Sequence, residues 1–287
     1  MDQSTVNATI LLPMRQLEIH VVHSCNLTCE SCSHYSNQGH KGMLGLETAD
    51  RWLAGWSRRL KPTLFKLVGG EPTLHPELSA MIRLARHHWP HSHMSLATNG
   101  FFLHRHPELP RALHETRTVL SISQHHQSPE YLEKIQQIVE LVQAWKREHD
   151  IAAEIVPSYR MWTRRYRGTG ATMEPYEDGQ PRQSWTICPA KWCAQLYLGN
   201  IWKCAALAYL GMQHERYHLS EKWADYLRYK ALEPGCSDDE LREFLGREEE
   251  SCCGMCPAVA ERFELPSPLL PLRMRGADKV ERGAVAP

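Results

Sequence analysis

The segment QLEIHVVHSCNLTCESC, residues 16–32, places three cysteines directly after an apolar run. Residues 16–24 are rich in apolar and β-branched residues, which is typical of a buried strand. Cys25, Cys29 and Cys32 then follow with the spacing C-x3-C-x2-C. A disulfide uses two thiols and a closed zinc site uses four ligands, so three thiols in one loop leave a coordination position for another group.

Strand-like runs and amphipathic helical segments alternate between residues 16 and 157. The helix expected over 128–149 has the clearest signals, because Ser128 suits the N-cap and Pro129 suits the first helical position. Alternation at this period predicts parallel strands joined by right-handed crossovers. Because the units are too few for a closed eight-stranded barrel, we predict an α/β fold built as a partial (βα)6-type TIM barrel. The predicted strands cover residues 16–24, 64–70, 93–100, 118–124 and 152–158.

The chain is expected to divide into this barrel core and a smaller cysteine-rich module. Residues 193–204 alternate apolar and polar residues around a Gly-Asn pair, which indicates a β-hairpin. Helices are expected near residues 219–231 and 237–249, the second with Ser237 at its N-cap. The expected segments are the barrel core over 16–157, a linker and substrate loop over 158–187, a C-terminal module of hairpin and helices over 188–262 and a disordered tail over 263–287.

The overall charge argues against two classes of partner. Lys and Arg number 33, and Asp and Glu number 33, so the formal net charge is zero. Without a basic stripe we expect no binding to nucleic acid and none to an anionic membrane. No run approaches the ~20 apolar residues that a membrane span needs, and no export signal is evident, so a cytoplasmic protein is expected. Its ten cysteines are then expected to be metal ligands or reactive thiols rather than disulfides.

Short polar motifs follow several of the predicted strands. GGEP at 69–72 follows the second strand, TNG at 98–100 the third and SQHH at 123–126 the fourth. In a parallel α/β sheet, ligands bind at the carboxyl ends of the strands. These loops and the three-cysteine loop are therefore expected to converge on one rim.

Taken together, the cysteine loop, GGEP and TNG in this order resemble the radical S-adenosylmethionine (SAM) enzymes, over about residues 16–157. The resemblance implies that Cys25, Cys29 and Cys32 ligate a [4Fe–4S] cluster, whose fourth iron chelates the amino and carboxylate groups of SAM. For the cysteines alone, structural zinc with His23 or His34 as fourth ligand remains an alternative.

Loop residues around this cluster are expected to bind SAM. Glycines allow close backbone approach, and Glu71 offers an acceptor for the ammonium group of SAM. The family usually carries an aromatic residue near adenine just before the third cysteine, where this chain has Ser31, and Tyr35 is expected to take that contact. An ordinary turn is the alternative for GGEP, and a plain strand end is the alternative for Ser123 and Gln124. The expected SAM-binding residues are Tyr35, Gly69, Gly70, Glu71, Pro72, Thr98, Asn99, Ser123 and Gln124.

A second group of cysteines resembles the truncated auxiliary-cluster module of some radical SAM enzymes, called a twitch or SPASM-like domain. Cys188 and Cys204 fit its pattern C-x10-G-x4-C, and Cys253 and Cys256 form C-x2-C. The resemblance implies four thiolates for a second, auxiliary [4Fe–4S] cluster. Cys193 is an alternative to Cys188, and a four-cysteine zinc ribbon is an alternative to the cluster.

Two cysteines, Cys236 and Cys252, remain outside both patterns. An inert buried thiol is one expectation for them. The other is a hydrogen-atom donor that quenches a substrate radical, and Cys252, next to Cys253, is the candidate for this catalytic role.

The resemblance implies an enzyme that cleaves SAM reductively to a 5′-deoxyadenosyl radical and removes a hydrogen atom from its substrate. A small polar substrate, similar to a sugar or an aminocyclitol, is expected, with oxidation or epimerisation as the outcome. An external one-electron donor such as flavodoxin or ferredoxin is the expected partner. The alternatives are modification of a ribosomally made peptide and, in another class, a non-catalytic zinc-stabilised binding protein.

Overall fold

The computed structural model describes residues 11–266 of the chain, and a seven-stranded sheet forms its core. The strands are β1 Leu12–His20, β2 Leu60–Val68, β3 His93–Thr98, β4 Thr118–Ser123, β5 Ala153–Val156, β6 Ala194–Tyr197 and β7 Asn200–Trp202. Their order in the sheet is β5-β4-β3-β2-β1-β6-β7. All neighbours are parallel except the hairpin pair β6 and β7. The predicted α/β class is confirmed, and the sheet is consistent with a partial barrel.

Helices connect the parallel strands and extend the chain beyond them. The α-helices are α1 Leu46–Ser57, α2 Leu78–His88, α3 Leu109–Thr116, α4 Pro129–His149, α5 Pro181–Ile187, α6 Ala205–Ala208, α7 Leu210–Tyr217, α8 Ala224–Leu227 and α9 Asp238–Gly246. Short 3-10 helices cover Ser36–Gln38, Pro72–Leu74, Leu103–Arg105, Ser158–Met161, Gly170–Thr172, Glu221–Trp223 and Ser251–Met255. The predicted start of α4 is confirmed, because the Ser128 side chain accepts a hydrogen bond from the Tyr131 amide and Pro129 opens the helix.

The hairpin predicted near 193–204 is part of the main sheet. Strand β6 pairs with β1 in parallel, with Leu17 opposite Ala194 and Ile19 opposite Leu196. The indole nitrogen of Trp56 on α1 donates to the Gly199 carbonyl in the hairpin turn at 2.8 Å. The hairpin is therefore continuous with the barrel core, and the module expected over 188–262 shares its sheet.

The C-terminal part differs from the sequence expectations in detail. Helices α5, α6 and α7 were not predicted, since their short apolar stretches carry no long helical period. The helix expected over 219–231 is instead a 3-10 turn followed by the single turn of α8. The start of α9 agrees with prediction, because Ser237 and Glu240 form a capping box.

The tail predicted to begin at residue 263 is ordered over its first residues. Leu265 is only 4% exposed and packs with Leu27 and Cys29. Phe263 lies under the Arg164 guanidinium, 4.3 Å from the ring centroid. These residues close over the first cysteine loop, and the rest of the predicted tail lies outside the described residues.

No helix between residues 11 and 266 is long and apolar enough to cross a membrane.

The contact between α1 and the hairpin predicts the effect of removing one donor. Trp56→Phe keeps a large ring in a fully buried position but removes the indole N–H that reaches Gly199. Because the carbonyl loses its partner, we expect the free energy of unfolding to fall by about 2 kcal/mol. Urea unfolding measures this, with Trp192→Phe at a half-buried site as the control. An unchanged unfolding midpoint for Trp56→Phe would contradict the proposed docking contact.

Candidate functional site

The GGEP loop lies directly against the cysteine loop. The Gly70 amide donates to the Val22 carbonyl at 2.7 Å, and the Glu71 amide donates to the Ser24 carbonyl at 2.9 Å. A Cβ atom at Gly70 would lie 2.2 Å from the Ser24 oxygen, and one at Gly69 would lie 2.9 Å from the Val22 oxygen. The two glycines therefore permit close approach of one loop to the other.

Glu71 joins the loops that follow β2 and β3. Its Oε1 accepts hydrogen bonds from the Thr73 amide at 2.9 Å, from the Thr73 hydroxyl and from the Thr98 hydroxyl. Its Oε2 accepts one from the Asn99 amide at 2.7 Å. Burial is the main cause that raises the pKa of this carboxyl, and these hydrogen bonds oppose it. One acceptor position of Oε2 remains for a further donor.

The polar side chains after β3 are engaged within the rim. The Thr98 hydroxyl, besides its bond to Glu71, accepts from the Gly100 amide at 2.9 Å. The Asn99 side chain donates to the Asn26 oxygen at 2.7 Å and accepts from the Phe101 amide at 3.1 Å. Both residues line the cavity described next, but their side chains also hold its wall together.

The first three cysteines line one cavity of about 230 Å3 at this rim. Burial raises the pKa of the Cys25 thiol, and the charges of Glu71 and Cys32 add to this effect. Burial likewise raises the pKa of Cys29, followed by the charges of Cys25 and Cys32. The other lining residues are Leu27, Ser33, His34, Ser36, Asn37, Val68, Gly69, Gly70, Glu71, Ala97, Thr98, Asn99, Ser123, His125 and Trp162.

Four buried polar atoms in the lining have no hydrogen-bond partner among the described residues. They are His34 Nε2, Ser36 Oγ, Asn37 Oδ1 and His125 Nδ1. A buried polar atom without a partner costs about 1–3 kcal/mol, so such atoms are normally satisfied by water or by a ligand. The lining thus combines thiols with unpaired polar atoms. This combination fits a polar ligand that is held beside a thiolate-bound cluster.

Three of the residues expected to bind SAM lie outside this lining. Tyr35 is 1% exposed, donates its hydroxyl to the Ala206 carbonyl at 2.8 Å and packs 5.4 Å from the Tyr166 ring. This placement disagrees with the predicted contact between Tyr35 and adenine. Pro72 is buried as the first residue of its 3-10 helix, and Gln124 donates to the His126 carbonyl at 3.1 Å.

Among the lining residues that were not assigned to the SAM site from the sequence are Trp162 and His125. Trp162 supplies the aromatic surface, with its indole nitrogen donating to the Glu30 carbonyl at 2.7 Å. His125 lies beside it, with 5.5 Å between the ring centroids. Trp162 lies in the segment predicted as a linker and substrate loop, and the His-His pair that ends the SQHH motif at 123–126 was the signal for His125.

The second group of cysteines also comes together. Burial raises the pKa of the Cys204 thiol, and the charges of Cys256, Cys188 and Cys253 add to the effect. Burial raises the pKa of Cys256 to about 12, while the nearby Arg165 opposes the shift. Thus the end of α5, the start of α6 and the 3-10 helix Ser251–Met255 bring their cysteines close together.

Two other cysteines of the C-terminal part have different surroundings. Cys193 Sγ accepts a hydrogen bond from Gln16 Nε2 on β1 at 3.2 Å, and the charge of Glu18 acts on it. Cys252 is buried and hydrogen-bonded to Cys253, which raises its pKa. Cys252 is absent from the lining of the rim cavity, and its role as a hydrogen-atom donor stays a prediction.

Neither thiol group is closed around a single point. Among residues 11–266, no three His, Cys, Asp or Glu side chains are placed to hold one metal ion. A zinc ion draws its sulfur ligands to about 2.3 Å from one centre, whereas the thiolates of an iron–sulfur cluster bind separate irons.

Comparison with known proteins identifies the matching family. The family model of the Radical SAM superfamily matches residues 19–178. The chain is 32% identical over 91 residues to the probable GTP 3',8-cyclase of Saccharolobus solfataricus. The matched segment is 32% of this chain and 29% of that protein. The chain is 34% identical over 89 residues to the 7,8-dihydro-6-hydroxymethylpterin dimethyltransferase of Methanocaldococcus jannaschii, 30% of this chain and 17% of that protein.

These matches span less than a third of the length of either curated relative. Among solved structures, the crystal structure of BtrN in complex with AdoMet and 2-DOIA is similar with a TM-score of 0.50 and 17% identity. The similarity covers 89% of this chain and 97% of BtrN. At this identity, the likeness supports the fold alone.

The contact between the two loops predicts a strong effect of one methyl group. In Gly70→Ala the added Cβ meets the Ser24 carbonyl, so the loops must separate and lose their backbone hydrogen bonds. We expect a loss of about 3 kcal/mol in the free energy of unfolding, measured by urea titration. In the control Gly211→Ala, no atom lies within 4 Å of the new Cβ, and stability should be unchanged or slightly increased. Equal stabilities of the two variants would contradict the proposed loop contact.

Burial of His125 predicts loss of stability in acid. Burial lowers the pKa of His125 to about 4, whereas in the unfolded chain it is near 6.5. Between these values only the unfolded state binds the proton, so the contribution to stability is complete above pH 6.5 and is lost as the pH falls toward 4. From pH 7 to pH 5, wild type should lose up to about 2 kcal/mol more than His125→Gln.

Urea unfolding at several pH values, without added SAM, measures this difference. Exposed His91→Gln is the control and should follow wild type. If His125→Gln also shows the pH dependence of wild type, His125 is not the group responsible.

Proposed function

The chain belongs to the radical SAM superfamily, and from that premise we propose that it oxidises a small polar, sugar- or aminocyclitol-like substrate by removing a hydrogen atom. The observation that carries the proposal is the rim cavity. It combines the three thiols of the first loop with unpaired polar atoms on two loops, at His34, Ser36 and Asn37 after β1 and at His125 after β4.

In this proposal Cys25, Cys29 and Cys32 hold a [4Fe–4S] cluster with SAM on its fourth iron. When bound and reduced by an external one-electron donor such as flavodoxin or ferredoxin, this pair supplies a 5′-deoxyadenosyl radical. The protein orients SAM: Oε2 of Glu71 accepts from its ammonium group, and the Trp162 face packs on adenine in place of Tyr35. Ser123 and His125 lie on the same lining and offer polar groups to the ribose.

For the second site we propose an auxiliary [4Fe–4S] cluster on Cys188, Cys204, Cys253 and Cys256, as in a twitch-like module. Cys188 is favoured over Cys193, because the charge of Cys188 acts on both Cys204 and Cys256, while Cys193 bonds to Gln16 on β1. Such a cluster supplies an acceptor for the second electron of an oxidation.

Oxidation is favoured over epimerisation by the position of Cys252. Epimerisation needs a hydrogen-atom donor at the substrate, and Cys252 is buried against Cys253 outside the rim cavity. Cys252→Ala should therefore leave product formation intact.

The proposal is tested by iron content and by SAM cleavage in anaerobically purified protein. Wild type should contain about eight irons per chain and, with dithionite, yield 5′-deoxyadenosine. Cys29→Ala should retain about four irons and yield none. Cys204→Ala should retain about four irons and still yield 5′-deoxyadenosine. Chromatography of the nucleoside and metal analysis are the measurements.

Cys193→Ala is the matched control and should keep about eight irons. Loss of iron in Cys193→Ala but not in Cys188→Ala would reverse the ligand assignment. About four irons together with one zinc would overturn the auxiliary cluster, and zinc alone at both sites would overturn the proposed reaction.

A further inference from the structure

Three imidazoles form a buried group behind the rim cavity. The ring centroids of His20 and His23 are 4.7 Å apart, and those of His20 and His34 are 5.2 Å apart. His20 is 4% exposed and His23 is 5% exposed. Four of their ring nitrogens have no hydrogen-bond partner among the described residues: both nitrogens of His20, Nδ1 of His23 and Nε2 of His34.

The alternation of β1 produces this arrangement. Leu17 and Ile19 belong to the main apolar core, so Glu18 and His20 face the opposite side of the strand. Glu18 accepts from Gln195 Nε2 at 2.7 Å and from Gln16 Nε2 at 2.6 Å. The inner face of β1 is thus polar as well as buried, which is costly unless the groups are satisfied.

The imidazole group lies between the two thiol groups. His34 lines the same cavity as the first three cysteines. On the other side, the Tyr209 ring lies 4.6 Å from His20 and 5.6 Å from His34. The charge of Cys204 acts on Tyr209, whose hydroxyl donates to Gln195 Oε1 at 2.9 Å. A molecule bound here would therefore lie between the SAM site and the proposed auxiliary cluster.

The chemistry of the group selects one class of ligand. None of the hydrogen bonds or ion pairs described within residues 11–266 joins one of these rings to a carboxylate that would hold a proton on it, and the His34 ring has Ser33 as its hydrogen-bond partner. A neutral imidazole offers one N–H donor and one nitrogen acceptor. The nearby formal charge is the carboxylate of Glu18, which acts on His34. A phosphate or carboxylate ligand would need a cationic side chain beside the rings. None of the hydrogen bonds, ion pairs or ring contacts described within residues 11–266 joins these rings to Arg or Lys.

We propose that His20, His23 and His34 form the substrate subsite and bind adjacent hydroxyl or amino groups of a small polyhydroxylated molecule. This inference rests on the proposed function and names the residues that recognise its substrate. Each of the four unpartnered ring nitrogens meets a hydroxyl as donor or acceptor, and a ligand ammonium is drawn toward Glu18. Metal binding is the competing use of three imidazoles, but these side chains are not placed to hold one ion.

The stability of the substrate-free protein gives the first test. In His20→Phe the ring contacts remain while two unpartnered buried nitrogens disappear. If only a ligand satisfies those nitrogens, the anaerobic holoenzyme should keep or raise its melting temperature. His91→Phe at an exposed site is the control. A melting temperature that falls by several degrees in His20→Phe alone would mean that internal hydrogen bonding needs these nitrogens, and would overturn the proposal.

Ligand binding gives the second test, by saturation-transfer NMR on the holoenzyme with SAM. The probes are myo-inositol, glucosamine, glucose 6-phosphate and Zn2+, the last followed by equilibrium dialysis. We expect myo-inositol or glucosamine to bind wild type and to bind at least tenfold more weakly to His20→Phe and His23→Phe. His20→Gln, whose amide restores a donor and an acceptor, should recover part of the loss.

The other outcomes overturn the proposal. Preference for glucose 6-phosphate would assign the wrong ligand class, and one Zn2+ per chain that is lost in His20→Phe would make the group a metal site. Binding of neither myo-inositol nor glucosamine, or equal binding to wild type and His20→Phe, would also refute it. Formation of 5′-deoxyadenosine is measured in the same samples. If the nucleoside still forms while polyol binding fails, only the proposed subsite is wrong. If wild type forms no 5′-deoxyadenosine, the proposed function itself fails.

Discussion

The carboxylate of Glu71 is the interaction on which the rim depends. It accepts from Thr73, Thr98 and Asn99 and so fixes the ends of β2 and β3 relative to each other. The amide of Gly70 donates to the Val22 carbonyl and so fixes the same loop to the segment that follows β1. Three chain segments that are far apart in sequence are thereby held at hydrogen-bond distance around one cavity. The residues that line the cavity and the residues whose hydrogen bonds hold its wall together are here largely the same.

The hairpin beside β1 gives the second thiol group its position. Because β6 pairs with β1 and β7 runs back beside β6, Cys204 at the start of α6 is tied to the barrel sheet. Tyr35 lies between the two groups, since the charges of Cys256, Cys204 and Cys32 all act on its hydroxyl. The ring expected to contact adenine is thus buried between the two groups of thiols.

Local signals explain which features the sequence could predict. The cap of α4, the Gly-Asn turn of the hairpin and the three-cysteine loop are encoded by adjacent residues, and each is found where expected. Pairing of β6 with β1 joins residues almost 180 positions apart, and no local pattern specifies such a partner. The same limit applies to Trp162, which reaches the first cysteine loop from a segment without strand or helix periodicity, and to the meeting of His20, His34 and Tyr209.

The pairing of β6 with β1 also bears on how the chain divides into domains. Strand β1 is central in the complete sheet, with β2 on one side and the hairpin on the other. Without the hairpin it would become an edge strand, exposing unpaired amides and carbonyls beside a polar face, and such edges invite intermolecular pairing and aggregation. The cysteine-rich part is thus also a structural closure of the barrel sheet, and a cut at the linker would leave β1 as an unprotected edge.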